Sequence, residues 1–104
     1  MKSKTTTRFR ALFKALPEDV QTQAREAYRL FRANVNDPIL QLKRVRMIKG
    51  HPLFSVRILN TQYRALGYGR SPDLIEWGWI GKHTEYERMI QAYTAPHVNR
   101  SPSS

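Results

Sequence analysis

The feature that most constrains the fold is a series of three strand-like runs between residues 54 and 80. Phe54, Val56 and Ile58 alternate with Ser55 and Arg57, which is the two-residue period of a strand with one buried face. A break at Asn60-Thr61 leads to a second run at 62–68, and a third run at 74–80 follows the loop 69–73. Breaks this short favour antiparallel pairing. The sequence therefore predicts an antiparallel meander at the centre of the molecule.

A symmetric turn at Asn60-Thr61 predicts which residues of the first two strands face each other. It pairs Ile58 with Tyr63 and Arg57 with Arg64, so two arginines stand opposite each other, on the face away from Phe54 and Val56. Like charges in this relation destabilise a sheet. An acidic neighbour would offset the repulsion, and so would a phosphate bound between the two guanidinium groups.

The third strand is expected to place a glycine beside these arginines. If Ala65 faces Trp77 on the core side, Gly78 lies opposite Arg64 on the other side. A glycine in a strand leaves room for a ligand to approach the backbone. The same register puts Glu76 on the face of Arg64, so an ion pair between them is the structural alternative to a phosphate site.

Helical periodicity precedes and follows the meander. Residues 9–16 carry apolar side chains on one helical face, and Pro17 opens a second helix whose apolar stripe runs from Val20 to Phe31. The pattern predicts that these two helices form a hairpin over the sheet. After the meander, Thr84 and Glu87 have the spacing of a capping box at the start of a C-terminal helix that runs to about residue 93.

The remaining segments are assigned by composition and alternation. Residues 2–7 are threonine-rich and typical of an edge strand. Residues 39–47 fit either a strand or an extended connection, and 49–52 read as a loop. The predicted architecture is α+β: an N-terminal helical hairpin on a small, mainly antiparallel sheet of three to four strands, with a C-terminal helix. Residues 1–93 are expected to form a single domain, and the polar tail 94–104 is expected to be disordered.

The charge distribution favours a polyanionic partner. The chain of 104 residues has a net charge of +10, and residues 41–70 hold seven lysines and arginines without any acid. Such a block favours nucleic acid, although a solubilising surface or an acidic protein partner gives the same pattern. Four bases in this block are candidates for contacts along a nucleic-acid backbone, namely Lys43, Arg44, Arg46 and Lys49.

Several classes of function are disfavoured by what the sequence lacks. The absence of cysteine excludes disulfides and thiolate chemistry and fits a cytoplasmic location. There is no run of roughly 18 apolar residues that would span a membrane, and no secretory signal is expected. The histidines at 51, 83 and 97 lack metal-ligand spacing, and no glycine-rich phosphate loop occurs. We expect no metal, no small-molecule cofactor and no membrane partner.

The order of these segments resembles the RelE/ParE toxin superfamily. The resemblance rests on Phe54-Ser-Val-Arg57, Tyr63-Arg-Ala-Leu-Gly67 and Ile80-Gly-Lys-His-Thr-Glu-Tyr86, behind an N-terminal Arg8-Phe-Arg…Ala15-Leu-Pro17 segment, and it covers residues 3 to 93. It implies a RelE-like fold and a toxin of a type II toxin–antitoxin system that a cognate antitoxin neutralises. One branch of the superfamily enters the ribosome and cuts mRNA without a metal, whereas another inhibits DNA gyrase.

The RNA-cleaving branch implies roles for four residues of this chain. It places basic side chains on the central strands, a proton-transfer group and a tyrosine near the C-terminus, which correspond to Arg57, Arg64, His83 and Tyr86. Several ribosome-dependent members carry arginine or lysine where His83 stands. The implied activity is a metal-independent, ribosome-dependent mRNA endoribonuclease that uses 2′-hydroxyl attack on the adjacent phosphate. The resemblance also implies that the backbone bound by Lys43, Arg44, Arg46 and Lys49 is that of mRNA or ribosomal RNA. The alternatives are a non-catalytic gyrase inhibitor and an inactive RNA-binding homologue.

Each of these roles has a structural alternative. An imidazole suits proton transfer because histidine titrates near neutrality, but His83 could equally be a surface residue at the end of a strand. Tyr86 could stack on a base or hydrogen-bond the phosphate, or it could pack the helix onto the sheet. Arg64 is the strongest candidate, since a guanidinium on a rigid strand binds phosphate through two donors.

Overall fold

The computed structural model describes residues 2–94, which form an α+β fold with one mixed sheet. Its elements along the chain are β1 (Lys2–Thr5), α1 (Thr7–Lys14), α2 (Glu18–Ala33), a 3₁₀ turn (Pro38–Leu40), β2 (Lys43–Ile48), β3 (His51–Arg57), β4 (Tyr63–Ser71), β5 (Leu74–Lys82) and α3 (His83–Ala92). Apart from Thr94, the tail predicted to be disordered lies outside the described residues. None of the helices within 2–94 is long and apolar enough to cross a membrane.

The sheet has five strands within the described residues, in the order β1-β5-β4-β3-β2, so the prediction of three to four strands was wrong. β1 precedes the helical hairpin and pairs in parallel with β5, whereas the other neighbours are antiparallel. Local periodicity undercounted the strands for two reasons. The partner of β1 is about 70 residues away in sequence, and a register shift between Arg44 and Arg46 interrupts the alternation of β2.

Helices cover both faces of the sheet. The hairpin of α1 and α2 covers one face, where Ala27 and Phe31 pack among Val56, Ile58 and Trp77 in one buried cluster. α3 covers the other face with a second buried cluster: Ile48, Leu53, Leu66, Tyr68, Trp79, Tyr86, Met89, Ile90 and Tyr93. The hairpin begins where the Thr6 side chain accepts a hydrogen bond from the Phe9 amide, an N-cap that satisfies one free donor of α1.

The predicted pairing of the central hairpin is confirmed, but that of the third strand is wrong. Arg57 pairs with Arg64, and the Ile58 amide donates to the Tyr63 carbonyl at 3.1 Å. On β5, however, Ala65 faces Ile80 instead of Trp77, and the glycine opposite Arg64 is Gly81. The cause is the turn, because β4 continues to Ser71, which pairs with Leu74, and only Pro72 and Asp73 connect the strands where a loop at 69–73 was predicted. The shorter turn moves the pairing by three residues, whereas the two register shifts between β4 and β5 offset each other.

Gly78 has a packing role instead of the predicted place beside Arg64. A Cβ atom on Gly78 would overlap the hydroxyl group of Tyr93, which follows the last turn of α3. The absence of a side chain at Gly78 therefore lets the end of α3 lie against the sheet.

Two predicted boundaries also differ from the structure. α3 begins at His83, one residue before the predicted cap Thr84, and no side chain caps its N-terminus, so the capping-box prediction was wrong. Residues 49–52 do not form a loop: Lys49 and Gly50 make a tight turn with positive φ values of 52° and 82°, and His51 already belongs to β3. The open choice for residues 39–47 resolves into the 3₁₀ turn followed by β2.

Candidate active site

The two central arginines lie side by side on the α3 face of the sheet. Arg57 ends β3 and Arg64 stands opposite it on β4, with Gly81 of β5 as the next neighbour of Arg64. Paired residues of adjacent strands point to the same side of a sheet, and Arg57 lies two residues from Ser55 on that side. The predicted cross-strand arginine pair is therefore present, with a glycine beside it.

Polar and aromatic contacts hold the Arg64 guanidinium. Its Nη1 donates to the Ser55 hydroxyl at 3.4 Å and its Nη2 donates to Gln41 Oε1 at 3.3 Å. Its Cζ atom lies 5.0 Å from the centre of the Tyr86 ring, which is within the range of a cation–π contact. These contacts orient the guanidinium without neutralising its charge.

The predicted alternative, an ion pair between Arg64 and Glu76, was wrong. Glu76 is 6% exposed and its carboxylate pairs with Arg70 at 2.8 Å and with Lys4 at 3.5 Å. Within residues 2–94, neither Arg57 nor Arg64 forms an ion pair. The repulsion between the two arginines is therefore not offset by a carboxylate in the part of the chain that the structure describes.

His83 lies at the rim of this surface. It is the first residue of α3, its ring is exposed, and its amide donates to the Gln62 carbonyl at 2.6 Å. The imidazole stacks on the Tyr86 ring with 5.8 Å between the ring centres and 20° between the planes. Since Arg64 also lies over Tyr86, that single ring contacts both groups for which roles were predicted.

Tyr86 itself is buried, with 2% of its surface exposed. It belongs to the cluster between α3 and the sheet, which matches the packing alternative for this residue. In this arrangement the ring is not open to a base, so its geometry fits a positioning residue beneath Arg64 and His83.

The four candidate RNA-binding bases do not form one patch. Lys43 pairs with Ser55 and so lies on the face of the arginine pair, whereas Arg44 pairs with Phe54 on the hairpin face. Lys49 lies in the β2–β3 turn at the opposite end of β3 from Arg57. Of the four, Lys43 is the one that the register places on the same face and near Arg57.

Arg46 is engaged in holding a helix end. Its Nη1 donates to the carbonyl oxygens of Ile90, Gln91 and Tyr93 at 2.9, 3.1 and 3.1 Å. The last carbonyls of a helix lack partners within the helix, and a cation also interacts favourably with the helix dipole there. Arg46 therefore caps α3, and the same donor is not free for a phosphate.

Two site residues were missed from the sequence. Ser55 is one of the polar residues that alternate with apolar residues along β3, and nothing in a neutral hydroxyl group at that position indicated a function. Gln41 gave no signal at all, because its approach to Arg64 depends on a left-handed backbone conformation with a φ of 48° just before β2.

A large cavity lies elsewhere and shares none of these site residues. Its volume is about 860 Å³, and it lies between the helical hairpin and the sheet, with an apolar lining that includes Phe9, Phe13, Phe31 and Trp77. The arginine pair is on the other face of the sheet. The candidate site around Arg57, Arg64 and His83 therefore lies on an open surface and not in an enclosed pocket.

Comparison with known proteins identifies the fold. No protein-family model matches the chain, and no curated protein matches it. A solved structure of the archaeal RelE–RelB complex from Pyrococcus horikoshii OT3 matches with a TM-score of 0.62 and 13% sequence identity, covering 78% of this chain and 92% of that chain. The chain therefore has a RelE-like α+β fold, as the sequence motifs predicted.

Proposed function

We propose that this protein is the toxin of a toxin–antitoxin pair and cleaves mRNA at the ribosome without a metal ion. The observation that carries the proposal is the pair Arg57 and Arg64, which shares one face of the sheet with the exposed imidazole of His83. The RelE-like fold adds support, since the similar structure is a complex of RelE with RelB. On this proposal, the protein works in the cytoplasm, where ribosomes and mRNA are found.

The proposed reaction is attack of a ribose 2′-oxygen on the adjacent phosphorus. The 2′-hydroxyl loses its proton to a base, the new P–O bond closes a 2′,3′-cyclic phosphate, and the bond to the 5′-oxygen breaks. The leaving 5′-oxygen takes up a proton, so the atoms and charges balance. Negative charge accumulates on the phosphate oxygens in the transition state, and donors fixed near those oxygens stabilise it.

The residues have distinct parts in this reaction. Arg57 and Arg64 bind the phosphate oxygens, which relieves their mutual repulsion and uses the planar fork of each guanidinium. His83 transfers the proton at the 2′-oxygen or at the 5′-oxygen, because an imidazole can both accept and donate a proton. The buried Tyr86 ring contacts the Arg64 guanidinium and the His83 imidazole and so positions them. Lys43 contributes to binding the RNA backbone.

The antitoxin partner follows from the same surface. Positive charge that binds RNA also attracts an acidic protein segment, and a partner that covers the arginine pair would block the reaction. We therefore expect a cognate antitoxin to neutralise the protein by covering Arg57 and Arg64.

Growth arrest and RNA mapping after induced expression test the proposal. Arg64→Ala and His83→Ala should each abolish growth arrest and lower the frequency of mRNA breaks by roughly a hundredfold or more, as expected for loss of a phosphate donor or a proton-transfer group. Arg44→Ala is the matched control, because it removes an exposed arginine from the hairpin face. It should remain toxic.

Other outcomes would decide against the proposal. If Arg64→Ala and His83→Ala fold normally and remain fully toxic, the catalytic assignment fails. Accumulation of gyrase-linked DNA breaks without mRNA breaks would identify the gyrase inhibitor instead. Harmless expression of the unmodified protein would favour the inactive homologue.

A further inference from the structure

The outer surface of α2 carries a second group of arginines that the proposed active site does not use. Arg25, Arg29 and Arg32 follow one another at helical spacings of four and three residues, so they lie on one side of the helix over about 10 Å. Their helix buries Ala27 and Phe31 on its other side. The three residues therefore form a row on the side of α2 opposite its buried residues, and Arg25 also reaches over Phe13 of α1, where it lines the large cavity.

These side chains enclose a shallow depression with an aromatic wall. Its volume is about 390 Å³, and its lining comprises Arg25, Tyr28, Arg29, Arg32 and Ala33. Tyr28 is 43% exposed, and Arg32 lies over its ring at 5.9 Å. The Tyr28 hydroxyl is within 2.8 Å of the Ser3 hydroxyl, so a hydrogen bond to β1 fixes the ring.

The charge of this row is only partly balanced. Glu26 pairs with Arg29, and this contact holds the pKa of the Glu26 carboxyl below its ordinary value. Within residues 2–94, Arg25 and Arg32 form no ion pair. Arg25 instead lies over the Phe13 ring at 5.3 Å, which orients the guanidinium and keeps its charge.

We propose that the surface formed by Arg25, Tyr28, Arg29 and Arg32 binds the phosphate backbone of folded RNA. Arginines at one-turn spacing present donor forks to successive phosphates, and an exposed aromatic ring beside them offers a face for a base. An acidic protein would be attracted by the charge, but it gives no reason for an exposed aromatic ring beside the arginines, with Arg32 over it.

The position of this surface specifies the kind of RNA. α2 covers the hairpin face of the sheet, whereas Arg57 and Arg64 lie on the α3 face. A short single strand in the active site would not reach α2. The inference rests on the proposed function, and it adds that the protein contacts two RNA backbones at once: the cleaved strand on one face and a structured RNA on the other.

Two RNA probes separate the two surfaces. Ribosomes serve as the folded RNA, a short single-stranded RNA serves as the minimal ligand, and filter binding gives the affinity for each at several salt concentrations. The triple variant Arg25→Ala, Arg29→Ala, Arg32→Ala should bind ribosomes at least roughly tenfold more weakly at physiological salt, and the slope of log K against log salt should fall by about two to three. Its affinity for the short RNA should be unchanged.

Matched variants keep the test decisive if the triple variant folds poorly. Arg32→Ala should weaken ribosome binding more than Lys49→Asn, which removes one exposed cation from the β2–β3 turn. Glu26→Gln removes the one carboxylate that pairs with this row in the described part of the chain, and it should tighten ribosome binding by roughly threefold. A structural change caused by the Glu26→Gln substitution would not tighten binding to ribosomes while it leaves the affinity for the short RNA unchanged.

The results distinguish this inference from the proposed function. Unchanged ribosome affinity in the α2 variants, or equal losses on both probes, would overturn the role of α2 even if Arg64→Ala abolishes cleavage. Conversely, if Arg64→Ala still cleaves mRNA, the proposed active site is refuted. The ribosome affinities of the α2 variants then still test, independently, whether α2 binds folded RNA.

Discussion

At the scale of single residues, the arginine pair is a local conflict that the fold tolerates. Two cations face each other across β3 and β4, and no carboxylate of residues 2–94 pairs with either. Such directly opposed like charges destabilise a sheet by up to about 1 kcal/mol. Two arginines in this arrangement lower the free energy of unfolding, and a local loss of stability of this kind is typical of sites that bind an anion.

The pair predicts opposite effects on stability and activity. Arg57→Gln should raise the free energy of unfolding by about 0.5 kcal/mol, because it removes the repulsion with Arg64. The same change should abolish growth arrest, since the proposed active site would lose one of its two phosphate donors. Urea unfolding and the growth assay measure the two effects. Arg44→Gln is the control, and it should change neither, because Phe54 and not a cation stands opposite Arg44. A loss of stability in Arg57→Gln would contradict the prediction.

Tyr93 gives a prediction for alkaline pH. Burial, followed by the nearby Glu76 carboxylate, raises the pKa of Tyr93 from 10.0 to about 12. The folded protein therefore holds a proton that the unfolded chain releases above pH 10. The free energy of unfolding therefore keeps its full contribution from protonated Tyr93 below pH 10. It falls as the pH rises from about 10 to about 12, by about 2 to 3 kcal/mol altogether.

Urea unfolding between pH 9 and 12 checks the prediction for Tyr93. The unmodified protein should lose stability more steeply over this range than Tyr93→Phe, and the two curves should run parallel below pH 9. Tyr28→Phe controls for an exposed tyrosine and should follow the unmodified protein. Parallel curves for Tyr93→Phe and the unmodified protein over the whole range would show that Tyr93 titrates normally.

The sequence predicted the positions of the two arginines of the candidate site because their neighbours in the sheet are local in sequence. Arg57 and Arg64 are connected by a short turn, so their pairing follows from a symmetric break in the alternation. His83 follows directly from the end of β5. Gln41 could not be predicted, because no local pattern signals a left-handed residue that brings a side chain to Arg64.

At the scale of the elements, α3 is attached at both ends. The His83 amide donates to the Gln62 carbonyl at its start, while Arg46 binds three carbonyls at its end. Between these points Tyr86 and Met89 pack on the sheet. Because His83 belongs to this helix, its distance from Arg64 depends on how firmly α3 is held.

Arg46 is therefore predicted to act on stability and not on RNA contact. Arg46→Ala should lower the free energy of unfolding by about 1.5 to 3 kcal/mol, the range for hydrogen bonds that involve a charged group. Amide hydrogen exchange should accelerate at residues 88–92 before other helices respond. Arg44→Ala, on the same strand and exposed, is the control and should change stability by less than about 0.5 kcal/mol. Unchanged exchange in α3 would mean that the three carbonyl contacts contribute little.

Element boundaries show where sequence patterns stop being informative. The alternation of Phe54, Val56 and Ile58 gave the correct faces of β3, since no irregularity interrupts it. The pairing of β5 with β4 was predicted wrongly because β4 continues to Ser71, so the connection is a turn of Pro72 and Asp73 and not the loop predicted at 69–73. The start of α3 was misplaced because Thr84 and Glu87 fit a capping box, whereas the chain enters the helix directly from β5 at His83.

At the scale of the whole molecule, β1 completes one edge of the sheet. Its amide at Lys2 donates to the Asp73 carbonyl at 2.8 Å, and the Thr6 amide donates to the Trp77 carbonyl at 3.0 Å. Lys4 pairs with the buried Glu76. The strand thus covers the main chain of β5, and an uncovered edge of this kind is prone to pair with other chains.

Deletion of residues 2–5 should therefore have two effects that a side-chain change does not reproduce. The free energy of unfolding should fall by several kcal/mol, at about 1 kcal/mol for each main-chain hydrogen bond lost, and the exposed edge of β5 should cause association that increases with protein concentration. Urea unfolding and sedimentation velocity measure these effects.

Lys4→Gln is the control: it removes the ion pair but keeps the strand, and Arg70 still pairs with Glu76. It should stay monomeric and lose no more than about 1 kcal/mol. A deleted protein that remains monomeric and as stable as Lys4→Gln would show that β1 contributes only through its lysine.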